Sequence, residues 1–138
     1  MSCTPQTAMV GDELPHLSFG PITRSTLALY AGASGDHNPI HIDSDYATKI
    51  GLDDVIVHGM LSMAQFGRLV SNWAGTANLI NLSSRFTAMT PVGATLTCQG
   101  TITERFTKDA ALLLRVRLSA SIEDGTETLK GSALIRVP

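Results

Sequence analysis

From Thr95 onward the chain alternates. Leu96, Cys98, Gly100 and Ile102 are interleaved with Thr95, Thr97, Gln99, Thr101 and Thr103. A period of two sends successive side chains to opposite faces of a strand, so one face is buried and the other wet. Leu112, Leu114, Val116, Leu118, Ala120 and Ile122 alternate in the same way with Leu113, Arg115, Arg117, Ser119 and Ser121. Leu129, Gly131, Ala133, Ile135 and Val137 alternate with Lys130, Ser132, Leu134 and Arg136. Ile80, Leu82, Phe86 and Ala88 mark a weaker strand, and Lys108-Asp109 and Glu123-Asp124-Gly125 are polar breaks suited to hairpins. Residues 78–137 therefore predict four successive antiparallel strands.

The first half follows a different rhythm. A short strand is expected between Leu17 and Ile22, after which Thr23 caps a helix containing Leu27, Leu29, Tyr30 and Ala33. Asp43 or Ser44 caps a second, short helix that runs to Ile50 and is stopped by Gly51. The longest helix is expected from Gly59 to Trp73. Met60, Leu61, Met63, Ala64, Phe66, Leu69, Val70 and Trp73 cover most of its circumference, so it should be largely buried. A buried helix followed by antiparallel strands predicts an α+β fold with the sheet curved around the helix.

At 138 residues and 14.6 kDa the chain is expected to form one domain, residues 1–138, with residues 1–9 as a loose N-terminal segment. With 43% hydrophobic residues and a net charge of −2, it has neither of the marks of a disordered chain. A mean hydropathy of +0.15 implies a somewhat apolar surface and hence a partner subunit. The balance of charge argues against nucleic acid as a partner. It is uneven, however: residues 1–84 carry 3 basic and 7 acidic side chains, residues 85–138 carry 7 basic and 5 acidic. The basic half suits a small anionic ligand or simply a solvated face. Cys3 and Cys98 make no disulfide framework, so reduced thiols and a cytoplasmic location are expected. The N-terminal residues lack the basic start and apolar core of a secretion signal, and no apolar run reaches membrane-spanning length.

Chemistry concentrates in Ser34-Gly35-Asp36-His37-Asn38-Pro39-Ile40-His41-Ile42-Asp43. Pro39 breaks any helix there, leaving a shaped loop. Asp36 and His41, five residues apart across a bend, can converge on one water as an acid–base pair, with Asn38 orienting the imidazole or the water. The same Asp, Asn and Pro also fit a turn with no further role. Downstream, Val55-Ile56-Val57-His58-Gly59-Met60 leads into the buried helix. Its first N–H groups are unpaired, and Gly59 lets a ligand approach, as an oxyanion site requires. Equally, Gly59 would serve a tight entry into the helix. His58 is expected to be structural, bonded to nearby backbone, and His16 exposed. No metal is expected, since Pro39 separates His37 from His41 and no metal-ligand spacing is present.

Tyr30-Ala31, then Ser34-Gly35-Asp36, Asn38-Pro39-Ile40-His41 and Asp43, with Ala47, Gly51 and Ile56-Val57-His58-Gly59-Met60, resemble the MaoC-like (R)-specific enoyl-CoA hydratases. The likeness runs from about Val10 to Val137. Single-domain bacterial hydratases and the B-type subunit of actinobacterial hydroxyacyl-ACP dehydratases look most similar. The resemblance implies a hotdog fold and hydration of a trans-2-enoyl thioester of CoA or acyl carrier protein to an (R)-3-hydroxyacyl thioester. Asp36 and His41 would be catalytic, Ser34 and Asn38 would support the loop or touch substrate, and the Gly59 N–H would hold the enolate oxygen. No metal or redox cofactor is implied. Partners implied are an acyl-CoA or acyl-ACP, a second copy in a homodimer or larger homo-oligomer, or a different subunit in a heterodimer; no nucleic acid and no membrane. Arg85, Arg105, Arg115 and Arg117 are candidates for CoA phosphates or, individually, outward-facing strand residues. Physiological dehydration, an accessory subunit and a hotdog thioesterase are the alternatives. Two departures from the family stand out. Thr90-Pro91-Val92-Gly93-Ala94 keeps the family turn but loses its Asp, and Gly67 stands where some members carry a Ser that supports the catalytic loop.

Overall fold

The computed structural model describes residues 3–138. Strand β1 (Leu17–Phe19) leads into helix α1 (Arg24–Ser34). The chain then makes one 3₁₀ turn at Pro39–His41, helix α2 (Ser44–Lys49), and the long helix α3 (Gly59–Ala74). Strands β2 (Leu79–Phe86), β3 (Leu96–Lys108), β4 (Ala111–Ser121) and β5 (Glu127–Arg136) follow. All pairings are antiparallel, in the order β1-β3-β4-β5-β2. The strand that follows α3 thus docks beside β5 and not beside its sequence neighbour β3.

The alternation read from the sequence sets the inner face. Leu96, Cys98, Ile102, Leu114, Val116, Leu118, Ala120, Leu129, Ala133 and Ile135 are buried and form one cluster with Leu61, Phe66, Leu69 and Val70 of α3. The sheet therefore curves around α3 as a hotdog, α+β. Two sheet positions are glycines where neighbouring atoms come close. A Cβ on Gly131 would run into the Ser83 carbonyl, and one on Gly100 would meet Val116 Cγ1 at 3.0 Å. Helix α3 buries Leu61, Ser62, Gln65, Phe66, Leu69, Val70 and Ala74 and exposes a stripe of Met60, Ala64, Arg68 and Asn72, with half-buried residues between them. A register shift between Leu79 and Asn81 leaves Ile80 exposed, so the period-two reading fails at the start of β2.

Caps fall where expected. Thr23 Oγ1 accepts from the Thr26 N–H at 3.1 Å, and Gly35 closes α1 in the left-handed region at φ 77°. Asp43 Oδ1 accepts from the N–H groups of Asp45 and Tyr46 at 3.0 and 3.1 Å. The expected loose segment over residues 1–9 needs correction for residues 3–9; residues 1 and 2 lie outside the described residues. Ala8 is fully buried, the Trp73 indole N–H donates to the Cys3 carbonyl at 2.7 Å, and Arg105 donates to the carbonyls of Ala8 and Gln6. These bonds anchor the segment between the far end of α3 and β3, although its polar composition reads as a free terminus. No helix among the described residues is long and apolar enough to cross a membrane.

Candidate active site

The catalytic-loop candidates lie between α1 and α2, and the loop's own polar groups shape it. Ser34 Oγ accepts from the Asp36 N–H at 3.2 Å, Asp36 Oδ1 from the Asn38 N–H at 3.3 Å, and Asn38 Oδ1 from the Ile40 N–H at 3.2 Å. Asn38 thereby caps the 3₁₀ turn that carries His41, with Pro39 at its first position. Ser34 and Asn38 hold the loop from within, as turn chemistry alone would require.

His41 is turned inward and nearly buried, while the Asp36 side chain is about half exposed. His41 Nδ1–H donates to the Ile56 carbonyl at 2.8 Å, which leaves Nε2 with its lone pair free. Nε2 stands 3.9 Å from Asp36 Oδ2. That is too long for a direct hydrogen bond, yet one water can reach both atoms at ordinary hydrogen-bond length. The Ile56 N–H donates to the Ile40 carbonyl at 3.0 Å, so residues 40–41 and 56 are tied in both directions.

The other wall is the start of α3. Its first turn has no side-chain cap and no acidic residue. Gly59 and His41 border the same cavity, of about 340 Å³, together with Ser62, Phe86, Met89 and Leu129. A Cβ on Gly59 would meet the Phe86 ring at 3.0–3.3 Å. The glycine thus lets Phe86 pack against the helix start, a contact that the sequence alone does not reveal. A larger cavity of about 490 Å³, lined by Cys3, His16, Leu17, Leu69 and Trp73 among others, lies elsewhere and contains no acid–base pair.

His58, expected to be structural, is completely buried beside the pair. Its Nε2–H donates to the Asp36 carbonyl at 3.1 Å. Its ring stacks on His41 at a centroid distance of 4.0 Å, and Tyr30 packs edge-on against it at 4.7 Å. Burial pushes its pKa below the usual histidine value. The signal for this position was its place directly before Gly59. Asp36, His41 and His58 each offer one potential metal ligand within 4.8 Å of the others. Imidazole lone pairs lie in the ring plane, however, and rings stacked 24° from parallel do not aim theirs at a common point.

The remaining candidates are scattered. Arg105 is committed to the N-terminal carbonyls, and Arg115 donates to Glu104 at 3.0 Å. Arg85 and Arg117 are exposed, paired across strands with Lys130 and Ser132. His37 lies in the open, its Nδ1 3.1 Å from the Gly35 carbonyl oxygen, and His16 is exposed with Glu13 3.8 Å away. Gly67, where the resemblance implies a serine in some members, has only Leu82 near a notional Cβ, at 3.8 Å. Here the loop is tied down by His58 and Ile56 instead.

Comparison with known proteins agrees with this architecture. The model of the MaoC like domain matches residues 7–119. A protein of Rhodospirillum rubrum described as an (R)-specific enoyl-CoA hydratase is 31% identical over 123 residues, covering 85% of this chain and 81% of that protein. The fatty acid synthase subunit beta of Saccharomyces cerevisiae is 38% identical over 69 residues, half of this chain, which spans only 3% of that much longer protein. The solved (R)-hydratase of A. caviae superposes with a TM-score of 0.85 at 24% identity, covering 96% of this chain and 99% of that one, a likeness of fold.

Proposed function

The chain belongs to the MaoC-like domain family, and from that premise we propose that it catalyses the reversible hydration of a trans-2-enoyl thioester to an (R)-3-hydroxyacyl thioester. The observation that carries this reading is the pairing of Asp36 Oδ2 and His41 Nε2 at 3.9 Å, beside the uncapped start of α3. Both atoms can accept a proton, and a water between them is held for attack. Its oxygen adds to the β-carbon, which the thioester makes electrophilic. One water proton passes to the pair, and the pair returns a proton to the α-carbon, so that one water is added and no net charge remains. Delivery of both parts from one side is syn addition. As the β-carbon is attacked, negative charge gathers on the thioester oxygen. The Gly59 N–H, at the positive end of the α3 dipole, is the group that stabilises it. The acyl chain occupies the cavity bordered by Phe86, Met89 and Leu129.

We place a partner subunit at β2. This strand ends the sheet, and no other strand among the described residues pairs its outer edge. An unpaired edge is a template for another strand. Half-exposed Phe86 and exposed Met89 stand on that side of the cavity, which a second subunit would close.

The experiment follows crotonyl-CoA and a longer trans-2-enoyl-CoA at the enoyl-thioester absorbance, with wild type beside Asp36→Asn. Loss of absorbance in the wild type only, without release of thiol, supports the proposal. Thiol release identifies a thioesterase. No reaction with either substrate, alone or with a co-purified subunit, rejects it.

A further inference from the structure

We propose that His58 is a positioning residue for both reacting side chains, fixing the Asp36 segment through its Nε2–H and the His41 ring through face-to-face stacking. The role rests on the hydratase reading above. His58 immediately precedes α3, and its position is therefore set by a helix whose Leu61, Phe66, Leu69 and Val70 belong to the core. From there it makes one contact to each member of the pair: a 3.1 Å hydrogen bond to the Asp36 carbonyl and a 4.0 Å stack on His41. Tyr30, from α1, closes the third side.

A space-filling role does not account for the imidazole. His58 Nδ1 is buried and has no hydrogen-bond partner. A phenylalanine or leucine would fill the volume without stranding a nitrogen. What the histidine adds is an N–H that reaches the Asp36 carbonyl and a flat face that His41 can lie against. The other tie on His41, its bond to the Ile56 carbonyl, is a single hydrogen bond that the ring breaks if it turns about its side-chain torsions. Stacking on His58 opposes that turning, keeps the proton on Nδ1 and aims Nε2 at Asp36. The charged and titratable groups facing His58 are Asp36 from the loop, His41 from the 3₁₀ turn and Tyr30 from α1, and burial keeps the ring itself neutral among them.

Three variants separate the two contacts. His58→Gln keeps a donor without the ring, His58→Phe keeps the ring without the donor, and His58→Ala removes both. Each is assayed with crotonyl-CoA for kcat and KM, corrected for folded fraction. The tautomer of His41 is read in each from imidazole ¹⁵N shifts. His58→Ala should lower kcat about 100-fold with KM little changed, the loss expected when a reacting group moves by roughly 1 Å. The Gln and Phe variants should each recover part of it. Wild-type His41 should show a single tautomer with the proton on Nδ1, and His58→Ala a mixture. Unchanged kcat and an unchanged tautomer in His58→Ala overturn the proposal. Should that variant fail to fold, the same result in both the Gln and Phe variants overturns it. Should the wild type hydrate no thioester, the hydratase reading falls and the tautomer alone decides the role of His58.

Discussion

If one water is shared by Asp36 and His41, removing both groups should cost little more than removing either. The perturbations are Asp36→Asn, His41→Asn and the double variant. Asp36→Asn preserves shape and leaves an oxygen to accept the Asn38 N–H, now bonded at 3.3 Å, on a side chain already about half exposed. Stability should change by no more than about 0.5 kcal/mol. His41→Asn places an amide N–H where Nδ1 now donates to the Ile56 carbonyl, but it abandons the stack on His58. That loss of packing should cost about 1–3 kcal/mol and lower the melting temperature by several degrees. For activity, general acid–base assistance is worth roughly 10²–10⁴, so each single variant should lose about 10³ in kcat. Independent groups would then lose about 10⁶ together, whereas a pair acting on one water should lose about 10³ in the double variant as well. The difference is a coupling of about 4 kcal/mol, from three decades at 1.36 kcal/mol each. The assay is single-turnover decay of enoyl-thioester absorbance, normalised to folded protein by thermal melt. A double variant whose loss equals the product of the single losses would refute the shared water.

Gly131→Ala should destabilise the protein by about 1–3 kcal/mol in urea denaturation, because its Cβ would enter the Ser83 carbonyl and crowd the Phe66 ring at 3.2 Å; an unchanged midpoint would contradict the close approach of β5 to β2. Hydrogen bonding to Arg24 holds the Asp54 carboxyl below its ordinary 3.8. Its contribution to stability is therefore complete above pH 3.8 and is lost as pH falls through the lower folded value. Asp54→Asn should accordingly flatten the acid limb of a Tm–pH curve, while an identical limb would show that the pair is not maintained. Burial pushes the Cys98 thiol up to about 11, whereas Cys3 is only partly buried. A disulfide reagent should thus modify Cys3 well before Cys98 in the native protein and both only after denaturation; equal native rates would disprove the packing of β3 against α3.

The sheet and its central helix were legible because their signals are local and repetitive. Leu96, Cys98 and Ile102 declare a buried strand face whatever lies opposite, and Thr23, Gly35 and Asp43 announce helix ends through bonds to their near neighbours. What the sequence hid was long-range pairing. Nothing in Leu79–Phe86 says that it joins β5, 43 to 56 residues on, and not the adjacent β3, and the shift at Leu79/Asn81 broke its alternation. The N-terminal segment escaped for the same reason, since its anchors are Trp73 and Arg105. At the site, Asp36, Asn38, His41 and Gly59 could be picked out by residue type and spacing. The part played by His58 could not, because a stack between rings 17 residues apart leaves no periodic trace.

Residues 55–57 connect the features that the sequence left separate. On one side Ile56 accepts from His41 Nδ1 and donates to the Ile40 carbonyl. On the other, Ile56 bridges to Pro91, the Val57 N–H donates to the Thr90 carbonyl at 2.9 Å, and the Val92 N–H donates to the Val55 carbonyl at 3.4 Å. The turn at Thr90–Ala94 is thus bonded to the same short segment that orients the His41 imidazole, and Thr90 also borders the cavity. This is the turn in which Ala94 stands where the resemblance implies an Asp in many members. A change there acts in two places at once: on the cavity wall that Thr90 helps to form and on the strip that aims His41. Substitutions in the turn that alter substrate preference should therefore alter kcat as well as KM. Changes at Met89, on the same wall but outside these backbone bonds, should act on KM alone.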